Sequence, residues 1–223
     1  QAHGYVRANA HLVRVEAARE LSASLGSERV LGGICHVLST LKQAGEVVHR
    51  GLPPRLTLGE QTGPATGRVR ELADELRRGG VEVAVDDQLG ASLWEKLLFV
   101  EALGAVGAVC RSSADELRAI AESRALLVQA MEETARLSEA VGSAVRPGAI
   151  DRALARVDAL PQGATASMHR DLVEGRRSEL GEQTGAVVRL ARAVSPVIPV
   201  PAHDFLWAAL WPQERRARGQ GQP

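Results

Sequence analysis

Aromatic residues, cysteine and net charge are all scarce in this chain. Phe, Trp and Tyr make up 3% of the 223 residues, so small and aliphatic side chains must fill the core. That composition, rich in Ala, Leu, Val, Arg and Glu, favours helix. The two cysteines, Cys35 and Cys110, form no C-x-x-C pair, which excludes a disulfide framework and a zinc ribbon. Without a signal-peptide pattern, the two thiols fit a reducing cytoplasm. Lys+Arg and Asp+Glu both number 27, so nothing in the charge points to nucleic acid or another polyanion. The longest apolar run, Leu97 to Val109, is broken by Glu101 and is too short to span a bilayer. His3, His11, His36, His49, His169 and His203 show no H-x-H or H-x-x-x-H spacing, so no metal site is expected. Neither a G-x-G-x-x-G loop nor a G-x-S-x-G elbow occurs.

What is present divides near residue 87. Val15, Ala18, Leu21 and Leu25 give helical spacing over 13–25, which Gly26 ends. Arg29 to Leu38, Glu46 to Arg50 and Arg55 to Glu60 read as a meander of short strands. His36 and His49 are expected to face each other across a hairpin. Gly67 to Arg78 is a helix with Val69, Leu72, Ala73 and Leu76 inward, stopped by Gly79-Gly80. Val81 to Val85 then alternates as one more strand. Strand, helix, strand in that order is the end of an α/β sheet.

From Asp87 the pattern is helical throughout, with helices expected near 89–109, 113–142, 147–158, 164–175, 179–194 and 202–211. Pro147 suits a first helical turn. The organisation is therefore an α/β segment over 1–87, an all-α domain over 88–212 and a frayed basic tail over 213–223. An incomplete sheet exposes an edge and apolar surface, which favours pairing with a second copy.

Four polar residues interrupt this apolar background. Lys96 lies among Leu93, Trp94, Leu97, Leu98 and Phe99. A lysine in such surroundings loses solvation and becomes suited to proton transfer. The plainer reading is a snorkelling lysine, or one paired with Glu95 or Glu101. Ser167 and Asp171 are four apart, on one face of a helix, where a hydroxyl and a carboxylate can hold a polar small molecule. The plainer reading is a solvated face. Glu179 follows a break at Gly175 and lies near a helix start, where an acid is favoured by the helix dipole alone.

In their order, these segments resemble the ketopantoate reductase family (2-dehydropantoate 2-reductases). The resemblance rests on Arg29-Val30-Leu31-Gly32-Gly33, Leu56-Thr57-Leu58-Gly59-Glu60, Trp94-x-Lys96-Leu97, Ser167-Met168 with Asp171, Arg177-Ser178-Glu179 and Pro199-Val200-Pro201. It runs from about residue 13 to 210. It implies a Rossmann-like remnant followed by a helical bundle like the C-terminal domain of 6-phosphogluconate dehydrogenase. It also implies Lys96 as proton donor to a substrate ketone, Glu179 as the glutamate that binds a substrate hydroxyl, and NADPH as cofactor. Ser167 and Asp171 would hold the small-molecule substrate, in a homodimer. The departures are specific. The family pattern has asparagines four and eight residues after the lysine, where this chain has Val100 and Gly104. The family's Asn-Gly near the nicotinamide aligns near Val13-Arg14, and its Asn-Gly after the glutamate is Thr184-Gly185 here. With no dinucleotide loop in the sequence, three functions stand side by side. They are an NADPH-dependent reductase of a small 2-oxo acid, a cofactor-independent acid–base isomerase or cyclase, and a non-catalytic binding protein.

Overall fold

Alternating apolar residues and a glycine-ended helix organise the first part of the chain. The computed structural model describes residues 23–37, 39–49 and 53–219. Five strands occur among them: β1 (Gly32–His36), β2 (Ser39–Gln43), β3 (Glu46–His49), β4 (Arg55–Gly59) and β5 (Glu82–Val85). Strand β4 is central in a sheet of order β1-β4-β5, antiparallel to β1 and parallel to β5. Helix α1 (Gly67–Arg78) makes the crossover that a parallel pair requires. Gly80, at φ +83°, lets the chain turn back out of α1, and Arg77 donates two bonds to the Val83 carbonyl at 3.1 and 2.7 Å. Strands β2 and β3 form a separate hairpin.

The helices that follow are α2 (Leu89–Cys110), α3 (Ala114–Ala119), α4 (Ala121–Ala140), α5 (Ala149–Asp158), α6 (Ser167–Val173), α7 (Thr184–Ala193) and α8 (Pro201–Ala217). No strand occurs after Val85 among the described residues. Two compact units result, one ending at Leu93 and one beginning at Trp94. In the first, Ile34, Leu89 and Leu93 cluster. In the second, α2 is apolar all round and is the core that the others wrap. Leu98, Ala102, Ala105 and Val106 are fully buried there, with Leu127, Met131, Leu206 and Leu210.

Two glycines set how closely these helices approach. A Cβ at Gly104 of α2 would stand 2.8 Å from the Met168 side chain of α6. One at Gly185 of α7 would stand 2.6 Å from the Trp207 ring of α8, which stacks on Trp211 at 4.4 Å. The Gly104–Gly107 stretch is thus a packing surface inside a helix.

Several expectations need correction. Helix 13–25 lies outside the described residues except for its last three, which are helical. The strands are no simple meander, because β2 and β3 leave the sheet before β4 returns to β1. His36 pairs with Arg55 and His49 with Ser39, so the two histidines belong to different sheets. Leu72 is exposed, because α1 buries only the narrower face of Val69 and Ala73. The helix expected over 113–142 is two, broken by extended backbone at Ile120; the Ser123 hydroxyl caps the Leu117 carbonyl there. Pro147 precedes the helix start, which Gly148 makes in a left-handed conformation. Residues 179–183 form a bend and turns ahead of α7, not its first helical turns. Helix α8 continues through Pro212 to Ala217, with Glu214 fully buried, so the frayed tail does not begin at 213.

Gly185→Ala should lower stability by about 1–3 kcal/mol, the usual cost of overpacking. The rigid indole of Trp207 cannot withdraw as a flexible side chain would. The urea midpoint of the purified variant measures this, and an unchanged midpoint would show that α7 and α8 have room to part.

Candidate functional site

Lys96 sits half-buried on α2 beside the buried Trp94 and Leu97. Glu95 accepts from the Arg146 backbone N–H at 3.0 Å and from Arg152 at 3.1 Å. Glu101 turns inward. With about 100° per residue, Val100 and Gly104 share the face of α2 that carries Lys96. Helix α6 packs against that face through Met168, about 12 Å along the axis from Lys96. Ser167 is the first residue of α6, next to Met168.

Asp171, on α6, forms an ion pair with Arg176 at 2.8 Å. It is thus tied to the start of the segment that leads to Glu179. Glu179 itself stands in the turn between α6 and α7. Its Oε2 is buried and has no donor among the described residues. Burial, and then the negative charges of Asp171, Glu182 and Glu214, push its carboxyl above the usual glutamate range. Four residues on, Gln183 is 2% exposed, and its Oε1 also lacks a donor among the described residues. Buried acceptors left without donors are costly, and they mark places where another molecule's donors would be accepted.

The most charged cluster of the interior was not visible in the sequence. Glu101, Glu133 and His203 are each fully buried. His203 sits between the carboxylates, its Nδ1 2.6 Å from Glu133 Oε2 and its Nε2 3.0 Å from Glu101 Oε2. Glu133 also accepts the N–H groups of Ala202 and His203 at 2.9 and 3.0 Å, which satisfies the first donors of α8. The Thr184 hydroxyl donates to Glu101 Oε1 at 2.7 Å. Burial alone would make His203 less basic, but the two carboxylates outweigh it and raise its pKa to about 9. Burial likewise opposes charge on Glu133, yet His203 and the two backbone N–H groups hold its pKa below the ordinary value. Histidine spacing gave no hint of this. The available signals were Glu101 inside an apolar run and Glu133 on the buried face of α4. Among the described residues no group of His, Cys, Asp and Glu is arranged to hold a metal ion, and no helix is long and apolar enough to cross a membrane.

A further buried carboxylate secures the Glu179 turn. Glu214 of α8 accepts the Ser178 N–H at 3.0 Å, the Ser178 hydroxyl at 2.6 Å and Arg218 Nε at 2.6 Å.

In the first unit, helix α1 makes the crossover between β4 and β5. At its start Glu60 accepts from the Thr66 hydroxyl and from Arg68 Nε at 2.9 Å.

Comparison with known proteins places these features. The family model described as ketopantoate reductase PanE/ApbA C terminal matches residues 88–214. A 2-dehydropantoate 2-reductase of Mesorhizobium japonicum is 30% identical over 186 residues, covering 82% of this chain and 55% of that protein. One of Halobacterium salinarum is 29% identical over 183 residues, covering 82% and 60%. The chain thus spans well under two thirds of the curated relatives it matches. A 2-dehydropantoate 2-reductase structure from Geobacter metallireducens aligns with TM-score 0.74 at 30% identity, covering 86% of this chain and 63% of that one. A D-mandelate dehydrogenase solved with NADH aligns at TM-score 0.78 and 18% identity, covering 91% of this chain and 68% of that one; this shows a shared fold.

A raised histidine pKa stabilises the fold fully below the unfolded value of about 6.5, and that contribution is lost as pH rises through about 9. The melting temperature should therefore fall between pH 6.5 and 9, and His203→Asn should flatten that slope while lowering the curve throughout. Parallel slopes for wild type and variant would show that His203 is not the titrating group.

Proposed function

The chain belongs to the ketopantoate reductase family, and on that premise we propose that it supplies the substrate and proton side of a reductase acting on a small 2-oxo acid or related ketone. The observation that carries this reading is the buried Glu179 carboxyl, whose Oε2 has no donor, in a unit whose long apolar helix presents Lys96. Lys96 gives a proton to the substrate oxygen as negative charge develops there. Glu179 accepts a hydrogen bond from a substrate hydroxyl. Ser167, and Asp171 with its Arg176 partner, complete the polar surroundings of the substrate. The face of α2 beyond Lys96 carries Val100 and Gly104, so it offers no amide to orient a carboxylate. NADPH, by the family resemblance, would supply the hydride, and the residues named here serve the proton and the substrate.

We further propose that residues from 88 onward form the catalytic and oligomerisation domain, that the protein works in the cytoplasm and that it assembles as a homodimer. A Staphylococcus aureus ketopantoate reductase of the same fold is described as dimeric. Light scattering at micromolar concentration should give twice the chain mass of 23.7 kDa; a monomer mass there would remove the dimer.

The test is NADPH consumption by the purified chain with 2-dehydropantoate and with an aromatic 2-oxo acid. Lys96→Met should lower kcat about 100- to 10,000-fold, the usual loss for a general acid. Glu179→Gln should chiefly raise KM, by roughly tenfold, through loss of one charge-assisted hydrogen bond worth about 1.5 kcal/mol. Full activity in Lys96→Met, or no consumption with any 2-oxo acid, would end this reading.

A further inference from the structure

One helix holds both ends of the turn that carries Glu179. On the N-terminal side, Glu214 of α8 grips Ser178 through its N–H and its hydroxyl. On the C-terminal side, Thr184 is bonded to Glu101, and Glu101 is bonded to His203 in the first turn of the same α8. Between these anchors the turn closes on itself. The Glu179 carbonyl accepts the N–H groups of Glu182 and Gln183 at 3.1 and 2.9 Å. A displacement of Thr184 is therefore passed to Glu179 through one hydrogen-bonded loop.

The buried Glu101–His203–Glu133 cluster is hard to explain by stability alone. Apolar side chains of similar volume commonly stabilise a core as well as a buried ion network, or better. What such a network adds is a single fixed arrangement, here spanning α2, α4, α7 and α8.

We propose that Glu101 and His203, acting through Thr184, are positioning residues that set how deeply the Glu179 carboxyl is buried. The inference rests on the reading of Glu179 as a site residue. The charges that face Glu179 are Asp171, Glu182 and Glu214. Each already has an arginine partner: Arg176 for the first, Arg218 for the other two. Thr184 carries no charge, and neither Glu101 nor His203 is among the charges that act on Glu179, so replacing Thr184 reaches Glu179 through position.

The experiment is an NMR titration of the full chain with glutamate labelled at the carboxyl carbon, the Glu179 signal being assigned from Glu179→Gln. Wild-type Glu179 should titrate above the usual glutamate range. Thr184→Val, which keeps shape and removes the donor, should bring the midpoint back by roughly half a pH unit, about threefold in proton affinity. Thr184→Ser should restore it. His203→Asn, one bond further away, should move the signal in the same direction by less, and it serves if the valine variant does not fold. An ordinary wild-type midpoint, or an unmoved midpoint in Thr184→Val or in His203→Asn, overturns the inference. These readings need no substrate. A moved signal in a chain that reduces no ketone supports the positioning role and removes the reductase reading. An unmoved signal in an active chain does the reverse.

Discussion

A histidine held between two buried carboxylates is the interaction on which the helical unit depends. His203 joins Glu101 of α2 to Glu133 of α4, and Glu133 in turn completes the first donors of α8. None of the three side chains reaches solvent. Breaking any one bond leaves a charged partner without compensation, a far larger cost than the net gain of forming it. The network fixes the relation of four helices more sharply than interchangeable Ala, Leu and Val contacts would. That matters in a chain so poor in aromatic residues, where few large side chains lock neighbours together.

The start of α8 is completed from another helix. Glu133 arrives from α4 to accept its first free N–H groups. That requires α4 and α8 to be packed already, so α8 is ordered only as part of the assembled bundle.

How much was legible in the sequence follows the same division. Helix α1 was readable to the residue, because Gly79-Gly80 ends it and Val69 and Ala73 recur at helical spacing. Strands β1, β3, β4 and β5, the helical region and the family resemblance were readable because each depends on local pattern, while β2 and the separate hairpin were not. The break at Ile120 has no glycine or proline to announce it. The late start of α7 was hidden because Glu214 holds Ser178 from 36 residues away. Helix α8 outlasts Pro212 because Glu214 and Arg218 tie its last turns to that same segment. Lys96, Ser167, Asp171 and Glu179 could be singled out as polar residues in apolar stretches. Glu101, Glu133 and His203 could not be joined, because they meet only through tertiary packing.

The placement of the indoles has a practical consequence. The three tryptophans are Trp94, Trp207 and Trp211, and all belong to the unit that begins at Trp94. Trp94 is buried, and the other two stack face to face. Tryptophan emission, excited selectively, is thus a private reporter of the helical bundle, blind to the sheet of β1, β4 and β5. Circular dichroism sees both units, so any gap between the two optical traces during unfolding measures how independently the halves of this molecule come apart.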